Sequence, residues 1–376
     1  MTAPVRKILV IGGGFAGMTA ALQLSRNGFE VDLAEIDAGW RSYGAGISLH
    51  GSTLRVLNQL GLYQRFMELG FASDGVDIRG AEDAVLVTLP TPRVAGPDIP
   101  GGGGIMRPAL ARILSEAVRA STTNIRLGVT FTEMTPDDNG VSVTFSDGSE
   151  GRYDLVVGAD GLYSSVRARM FPDAPKPRFI GQSVWRAVVP RPKDINTVTM
   201  WMAPNLKAGL NGVNATEAYL FLTEDKPTND FVPPETFVEQ LRGLLERFPS
   251  PILKEIAAGL SSESHIIYRP LDQMLLPRPW FNSRVVLIGD AVHATTPHLA
   301  AGACIGIEDA MVLAEELNAH AELNAALSAF EDRRWERCRM VVENSGRLAD
   351  IEINNGNREE HASIMRVSMK TLAEAI

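Results

Sequence analysis

The chain has 376 residues, of which 45% are hydrophobic and 22% charged, the balance of an ordinary globular protein of about two domains. Its net charge of -9 argues against a nucleic-acid binder, which needs a basic face to neutralise phosphates. Cys304 and Cys338 are the only cysteines, so a disulfide framework or cysteine-rich zinc site is excluded and no metal site is expected. No apolar run approaches the roughly 20 residues of a membrane helix. The first strand pattern begins near Lys7 and leaves no room for a secretory signal, so a cytoplasmic protein is expected.

The first pattern is KILVIGGGFAGMTAALQLSRNGFEVDLAE, residues 7 to 35. A strand over Lys7 to Ile11, a helix from Met18 to Arg26 and a second strand from Glu30 to Glu35 form a βαβ unit. Gly12, Gly14 and Gly17 complete G-x-G-x-x-G: the first for the tight turn, the second to admit a pyrophosphate, the third for close helix packing. Phe15 and Ala16, between the second and third glycines, are counted with them as cofactor-binding. Glu35, with Ile36 beside it, stands where a ribose-binding acid belongs. The unit predicts dinucleotide binding but does not separate NAD from FAD.

Helical periodicity follows over Ser52 to Leu60, then short strands and loops over residues 73 to 99, and a flexible glycine junction at 97 to 104. MRPALARILSEAVRA reads as an amphipathic helix with Pro108 in its first turn. Turn signals bracket a strand at Val141 to Phe145, part of a meander. A buried strand over Leu155 to Val157 leads into a glycine turn and a helix. Residues 179 to 275 change character: SVWRAVVP, TVTMWMAP, EAYLFLTED and SHIIYRPL read as strands, with one helix in PPETFVEQLRGLLERF. The strand Val285 to Ile288 returns to the first framework and ends at Gly289-Asp290. A stretch of small residues precedes a helix from about Cys304 through Leu317, whose amino end would face a large, flat, partly anionic ligand. The last 50 or so residues read as a charged pair of helices.

Three motifs now stand in order: GGGFAG at 12 to 17, VVGADGLYSSVR at 156 to 167 and GDAVHATTP at 289 to 297. Together they resemble the FAD-dependent aromatic hydroxylases, the group A flavoprotein monooxygenases of para-hydroxybenzoate hydroxylase fold, and most closely the salicylate-hydroxylase-like members. The resemblance runs from about residue 5 to 335. It implies an α/β fold: a discontinuous Rossmann-like FAD-binding domain (1-72, 100-178 and 276-324), an inserted, mostly antiparallel β-sheet substrate domain (73-99 and 179-275), and C-terminal helices (325-376). Gly12, Gly14 and Gly17 would carry the FAD pyrophosphate and Glu35 the adenosine ribose. Arg41 and Arg107 resemble arginines that contact FAD. Asp160 and Gly161 match a motif linked to FAD and NAD(P)H. Asp290, after Gly289, would hold the ribityl or pyrophosphate end. Pro297 would lie by the flavin ring, with Gly302, Ala303 and Cys304 aiming N–H groups at its N1 and C2 carbonyl edge. Two departures stand out. Ala300-Ala301-Gly302 replaces the family's frequent Gly-Gln-Gly, and Gly51-Ser52 replaces its Pro-Asn.

The implied cycle takes a hydride from NADH or NADPH, adds O2 to give a flavin C4a-hydroperoxide, and transfers oxygen to a small aromatic or heteroaromatic substrate. Strand alternation offers residues for the substrate side: Tyr219 with Phe221, Met200 with Met202, and Arg186 on the face opposite Trp185. Arg186 is a candidate for a substrate carboxylate or phenolate, His50 for assisting deprotonation, and each has an ordinary structural alternative. His293 reads as structural, His298 as a loop residue, and Cys304 as a packing residue whose helix-end position could lower its pKa. A same-fold reductase and a non-catalytic flavin binder are the alternatives. The halogenase signature W-x-W-x-I-P is missing, its nearest stretch SVWRAVVP having one tryptophan, and a plain NAD dehydrogenase leaves GDAVHATTP without a purpose.

Overall fold

The computed structural model describes residues 5–376. Its first layer is a six-stranded sheet, ordered Phe281–Asn282, Val285–Leu287, Leu155–Gly158, Lys7–Ile11, Glu30–Glu35 and Asn124–Leu127. All neighbours are parallel except the first pair. The core strand KILVI is apolar at every position after Lys7, because both sheet faces are covered. Helices Phe15–Arg26 and Gly302–Ala319 pack against each other beside this sheet, and an antiparallel meander of Phe131–Asp137, Gly140–Phe145 and Glu150–Tyr153 packs nearby.

The second layer is a seven-stranded sheet, ordered Ile266–Leu275, Arg178–Pro190, Glu217–Asp225, Leu206–Gly212, Val198–Ala203, Val76–Arg79 and Val85–Leu89. It is antiparallel except where Val198–Ala203 meets Val76–Arg79. One face, with Trp185, Trp201, Leu220 and Leu222, is sealed by the helices Phe237–Glu246 and Pro251–Gly259. Each such buried Leu contributes about 1.5–3 kcal/mol. A three-stranded sheet of Gly46–His50, Gly102–Met106 and Gly70–Ser73 bridges the layers. Its glycines allow close approach: a Cβ on Gly104 would lie 2.3 Å from the Gly212 oxygen, and one on Gly46 would lie 2.4 Å from Tyr219 Cβ.

Some elements differ from the sequence expectation. The Leu206–Gly212 strand is missing from it, because LKAGLNG carries two glycines and a lysine and lacks alternation; all seven residues are nonetheless buried. The Pro251–Gly259 helix is also missing, although Ser250 caps it by accepting from the Leu253 N–H. The helix after the third motif runs from Gly302 to Ala319, starting two residues earlier than expected. Residues 325 to 376 form Leu323–Ile353 and Arg358–Ala373, and Phe330, Cys338, Val341, Leu348 and Leu372 join the main apolar core. No described helix is long and apolar enough to cross a membrane.

Candidate active site

The glycine loop has the geometry a dinucleotide needs. Gly12 has φ +106°, and a Cβ there would lie 2.4 Å from the Ala159 oxygen. A Cβ on Gly17 would lie 1.9 Å from the Gly12 oxygen, so helix and loop touch through backbone alone. At Gly14 the same test meets nothing within 4 Å: its open side is a cradle at the amino end of the Phe15–Arg26 helix, which no side chain caps. Uncapped N–H groups and an open approach fit a diphosphate. Ala16 lines the other side, 3.0 Å from where a Gly289 Cβ would be. Glu35 accepts from the N–H groups of Gly13 at 2.6 Å and Asp37 at 2.7 Å, which fixes its carboxylate at the strand end.

The other motif residues are placed by specific contacts. Asp160 accepts from Ser164 Oγ, from the Ser165 N–H at 2.7 Å and from the Val166 N–H at 3.1 Å, so it caps the Ser165–Met170 helix. Gly161 has φ +82° and turns the chain there. Arg167, the last residue of that motif, is buried and donates to the Ala291 oxygen at 2.8 Å and the Leu162 oxygen at 2.6 Å. It ties the second motif to the third, a role the motif's spelling did not reveal. Ile36 is 71% exposed, and Arg41 pairs with Asp37 at 2.9 Å. Arg41 also lines a surface recess of about 310 Å³ with Trp40, Arg112 and Arg119.

Gly289 has φ +63°, and its N–H donates to Asp309 Oδ2 at 2.9 Å. Asp309 also takes His293 Nε2 at 2.6 Å and Arg334 Nε at 2.8 Å, all of them fully buried. Arg334 donates further to Glu308 at 3.0 Å, and Arg337 holds Glu308 through two bonds of 2.8 and 2.9 Å. Burial alone would push the His293 imidazole down, but Cys338 and Asp309 outweigh it and hold the ring well above its usual range. His293, Asp309 and Cys338 bring three metal-type ligand atoms within 4.8 Å of one another, but the Arg334 guanidinium already donates to Asp309 and lies 3.5 Å from the Cys338 sulfur. The cluster is therefore an ion network that positions Gly289. Its signal in the sequence is the Glu308-Asp309 pair inside the otherwise apolar stretch from Gly302 to Ala314, which no motif marks.

Asp290 faces a recess that solvent reaches although protein surrounds it. That surrounding raises its carboxyl above the usual range, with His293 and Arg107 opposing the shift. Arg107 begins its helix, packs at 5.2 Å from the Phe15 ring, and sits beside Gly44, whose Cβ would lie 2.7 Å from Arg107 Cδ. Burial and then the charge of Arg186 lower its pKa, while Tyr219 and Asp290 raise it. Arg186 Nε donates to the Tyr219 hydroxyl at 3.0 Å, and Tyr219 lies 5.7 Å from Phe221. Arg107, Arg186, Tyr219 and Asp290 thus share one neighbourhood. Met106, Val188, Phe221 and Ile267 pack around its apolar side with Ala45 and Val213.

His50 Nε2 lies 2.7 Å from the Leu299 oxygen; a carbonyl only accepts, so Nε2 carries the proton and Nδ1 the lone pair. Burial lowers the His50 pKa. Pro297 opens a short turn, Pro297–Leu299, that ends at Ala300 with φ +49°. His298 is not a free loop residue: it is buried, bonded to Thr296 at 2.9 Å and 3.3 Å from Glu352. Gly302 and Ala303 lie in the first turn of the Gly302–Ala319 helix. Cys304 lies in the same turn, but burial and the nearby Glu308 push its thiol up to about 12, so the helix end does not activate it. Its sulfur sits 2.9 Å from Ser52 Oγ. Met200 is half-buried on the face of Phe221; Met202 is 50% exposed near the strand's end.

A doubly wound sheet with an open glycine cradle, a Gly-Asp turn held by a buried ion network, and a second sheet covering the recess define a flavoprotein monooxygenase of the aromatic-hydroxylase fold. The chain belongs to the FAD-binding-domain family, whose pattern it matches over residues 6–345. It is similar to the aurachin C monooxygenase/isomerase of Stigmatella aurantiaca, 31% identical over 92% of this chain and 89% of that one. It is similar also to the 2-heptyl-3-hydroxy-4(1H)-quinolone synthase of Pseudomonas aeruginosa, 30% identical over 92% and 90%. The crystal structure of Klebsiella pneumoniae HpxO complexed with FAD and uric acid shares the fold, with a TM-score of 0.83 at 23% identity over 98% of this chain and 93% of that one.

Proposed function

We propose that this FAD-dependent enzyme uses NADH or NADPH and O2 to hydroxylate a small aromatic or heteroaromatic ring that carries an ionisable hydroxyl or ring N–H. The observation that carries the reading is the pair of guanidiniums in a single recess: Arg186 donates to the Tyr219 hydroxyl at 3.0 Å, and burial and then the charge of Arg186 lower the Arg107 pKa. Two cations held together in a half-buried place favour an anion between them, such as a phenolate-like substrate. The quinolone, uric acid and monooxygenase in the names of similar proteins fit that chemistry.

The bound flavin supplies hydride acceptance and oxygen delivery. The chain does the rest. Gly12, Gly14, Phe15, Ala16 and Gly17 cradle the diphosphate, Glu35 and Ile36 border the adenosine ribose, and Asp290 accepts from the ribityl or pyrophosphate end. Arg41 and Arg107 add positive charge along the cofactor. Asp160 and Gly161 shape the turn behind it. Gly302, Ala303 and Cys304 border the ring edge with backbone N–H groups, which favour negative charge there, and Pro297 lies beside the ring. Arg186, oriented by Tyr219, holds the substrate's anionic oxygen, with Phe221 against its ring and Met200 farther out on the same face. Neutral His50 offers Nδ1 as a base toward the substrate hydroxyl.

The test is NAD(P)H oxidation by FAD-loaded protein in air with phenols, hydroxybenzoates, hydroxypyridines and hydroxyquinolines, with products weighed after turnover under isotopic O2. One compound should accelerate oxidation and gain one labelled oxygen atom. A product altered without added oxygen would instead make the enzyme a reductase.

A further inference from the structure

The inner face of the seven-stranded sheet does not end where the recess ends. Strand register places Arg186 opposite Phe221, Phe221 opposite Gly209, Gly209 opposite Met200, Met200 opposite Ile78, and Ile78 opposite Val87. Directly paired residues point to the same side of a sheet, so these lie in one row across it. The row starts at a cation and is apolar from Phe221 outward. Gly209 carries no side chain of its own, and the Phe221 ring fills the space above it, since a Cβ there would lie 2.2 Å from that ring; the apolar surface in the middle of the row is therefore the Phe221 ring itself.

Two structures flank the row and neither covers it. On one side the bridging sheet seals the neighbouring row, where buried Asn211 donates to Ser48 Oγ at 2.9 Å and the Gly103 oxygen at 3.1 Å. On the other side the long Leu323–Ile353 helix clamps the sheet through Lys207 and Glu352, 2.7 Å apart. Between them Phe221, Met200 and Ile78 remain only half-buried. At the outer end Val87 and Leu89 are 45% and 46% exposed, on an edge strand whose residues are all exposed. The edge strand is exposed on both faces, since Thr88 opposite Asp77 is exposed too, but farther in the helices fill the opposite face, and the half-burial of Phe221 and Met200 belongs to the face that leads to the recess.

We propose that this row is the seat of an aliphatic tail: the substrate is an aromatic ring with an alkyl chain that runs from Arg186 and Phe221 over Gly209 and Met200 to Ile78 and Val87. The inference rests on the aromatic-hydroxylase reading above and names the substrate class within it. The occupant follows from continuity. The polar end of the row, at Arg186 and Tyr219, suits an ionisable head; everything beyond it lacks charge and hydrogen-bonding side chains. Three strand spacings from Phe221 to Ile78 span roughly 14 Å, long enough for a chain of about ten carbons. A protein partner would not explain why the exposed strip runs inward to the recess.

The test uses FAD-loaded protein and reads binding rather than turnover, through perturbation of the flavin absorbance. The probes are 4-hydroxyquinoline, the same ring with 2-alkyl chains of increasing length, and n-alkanols, the last titrated by calorimetry. Each added methylene should tighten binding about three- to four-fold, as burial of a CH2 group predicts, with a plateau once the strip is covered. In Ile78→Lys and Val87→Lys, both at accessible positions, that gain should vanish for the longer chains while the unsubstituted ring binds as in the wild type. Rings that bind with no dependence on chain length, or variants that weaken ring and alkylated ring alike, would overturn the tail and leave the hydroxylase reading intact. Alkanols that bind wild type but not the variants, with no ring binding, would keep the strip and overturn the aromatic head. Binding of neither probe would overturn both. A wild-type dimer that Val87→Lys dissociates, with no alkanol binding, would make the face a subunit interface instead.

Discussion

Gly14 and Gly17 belong to one motif, yet their substitution by alanine should fail in different ways. A Cβ at Gly17 would lie 1.9 Å from the Gly12 oxygen and 3.1 Å from its carbonyl carbon, both backbone atoms that cannot rotate away. The helix must shift off the loop, at about 1–3 kcal/mol or more. At Gly14 the backbone is extended, with φ -73° and ψ -176°, and nothing lies within 4 Å of the new Cβ. Alanine is a slightly worse N-cap than glycine but loses less entropy on folding, so the two terms nearly cancel and the apoprotein should change by under about 0.5 kcal/mol. The methyl would project into the space reserved for the diphosphate, and a displaced phosphate should lose about 1–3 kcal/mol, or roughly 5- to 150-fold in Kd. Thermal unfolding of the apoproteins and FAD titration by flavin fluorescence separate the two effects. Gly17→Ala should lower Tm; Gly14→Ala should keep Tm and lose FAD. A Gly14→Ala protein that binds FAD as tightly as wild type would refute the placement of the diphosphate against that open side.

Ala300→Gly should raise apoprotein stability by about 1 kcal/mol, because alanine pays a steric penalty at φ +49° that glycine does not; an unchanged or lower Tm would contradict the strain. Asp290→Asn should weaken FAD about 10- to 100-fold by replacing a charged acceptor, while making the apoprotein more stable near neutral pH. The sign follows from the raised carboxyl: wild-type apoprotein loses stability as pH rises through that pKa, so the variant's advantage should disappear below the ordinary carboxylate range, as paired unfolding curves across pH would show. Arg334→Met should destabilise by about 3–5 kcal/mol, since it leaves Asp309 and Glu308 buried with fewer partners; a loss under 1 kcal/mol in urea unfolding would mean the network is not coupled to the fold.

What could be read from the sequence was whatever a short local pattern dictates. Strands Lys7–Ile11 and Glu30–Glu35 match their expected ends, because apolar runs between glycines have few other solutions. The Leu206–Gly212 strand was invisible for the opposite reason: its burial is imposed by neighbours. Gly209 is accommodated by the Phe221 ring, Gly212 by Phe71, and Lys207 by Glu352 from 145 residues away. The same split divides the site. Gly12, Gly14 and Gly17 announce themselves by spacing, whereas Arg167, Asp309 and Arg334 act only through partners brought close by folding.

This difference has a chemical consequence at the third motif. Gly289 and Asp290 supply the turn and the acid, but a glycine at φ +63° is free to take many other conformations. The Gly289 N–H is fixed by Asp309, Asp309 by His293 and Arg334, and Arg334 also by Glu308, which Arg337 in turn holds to the last helix through the Thr371 and Leu372 oxygens at 2.6 and 2.8 Å. The orientation of Asp290 toward its recess therefore depends on residues more than 80 positions downstream. That dependence accounts for the C-terminal helices packing into the main core, where loss of their grip would be felt first as loss of the Gly-Asp turn.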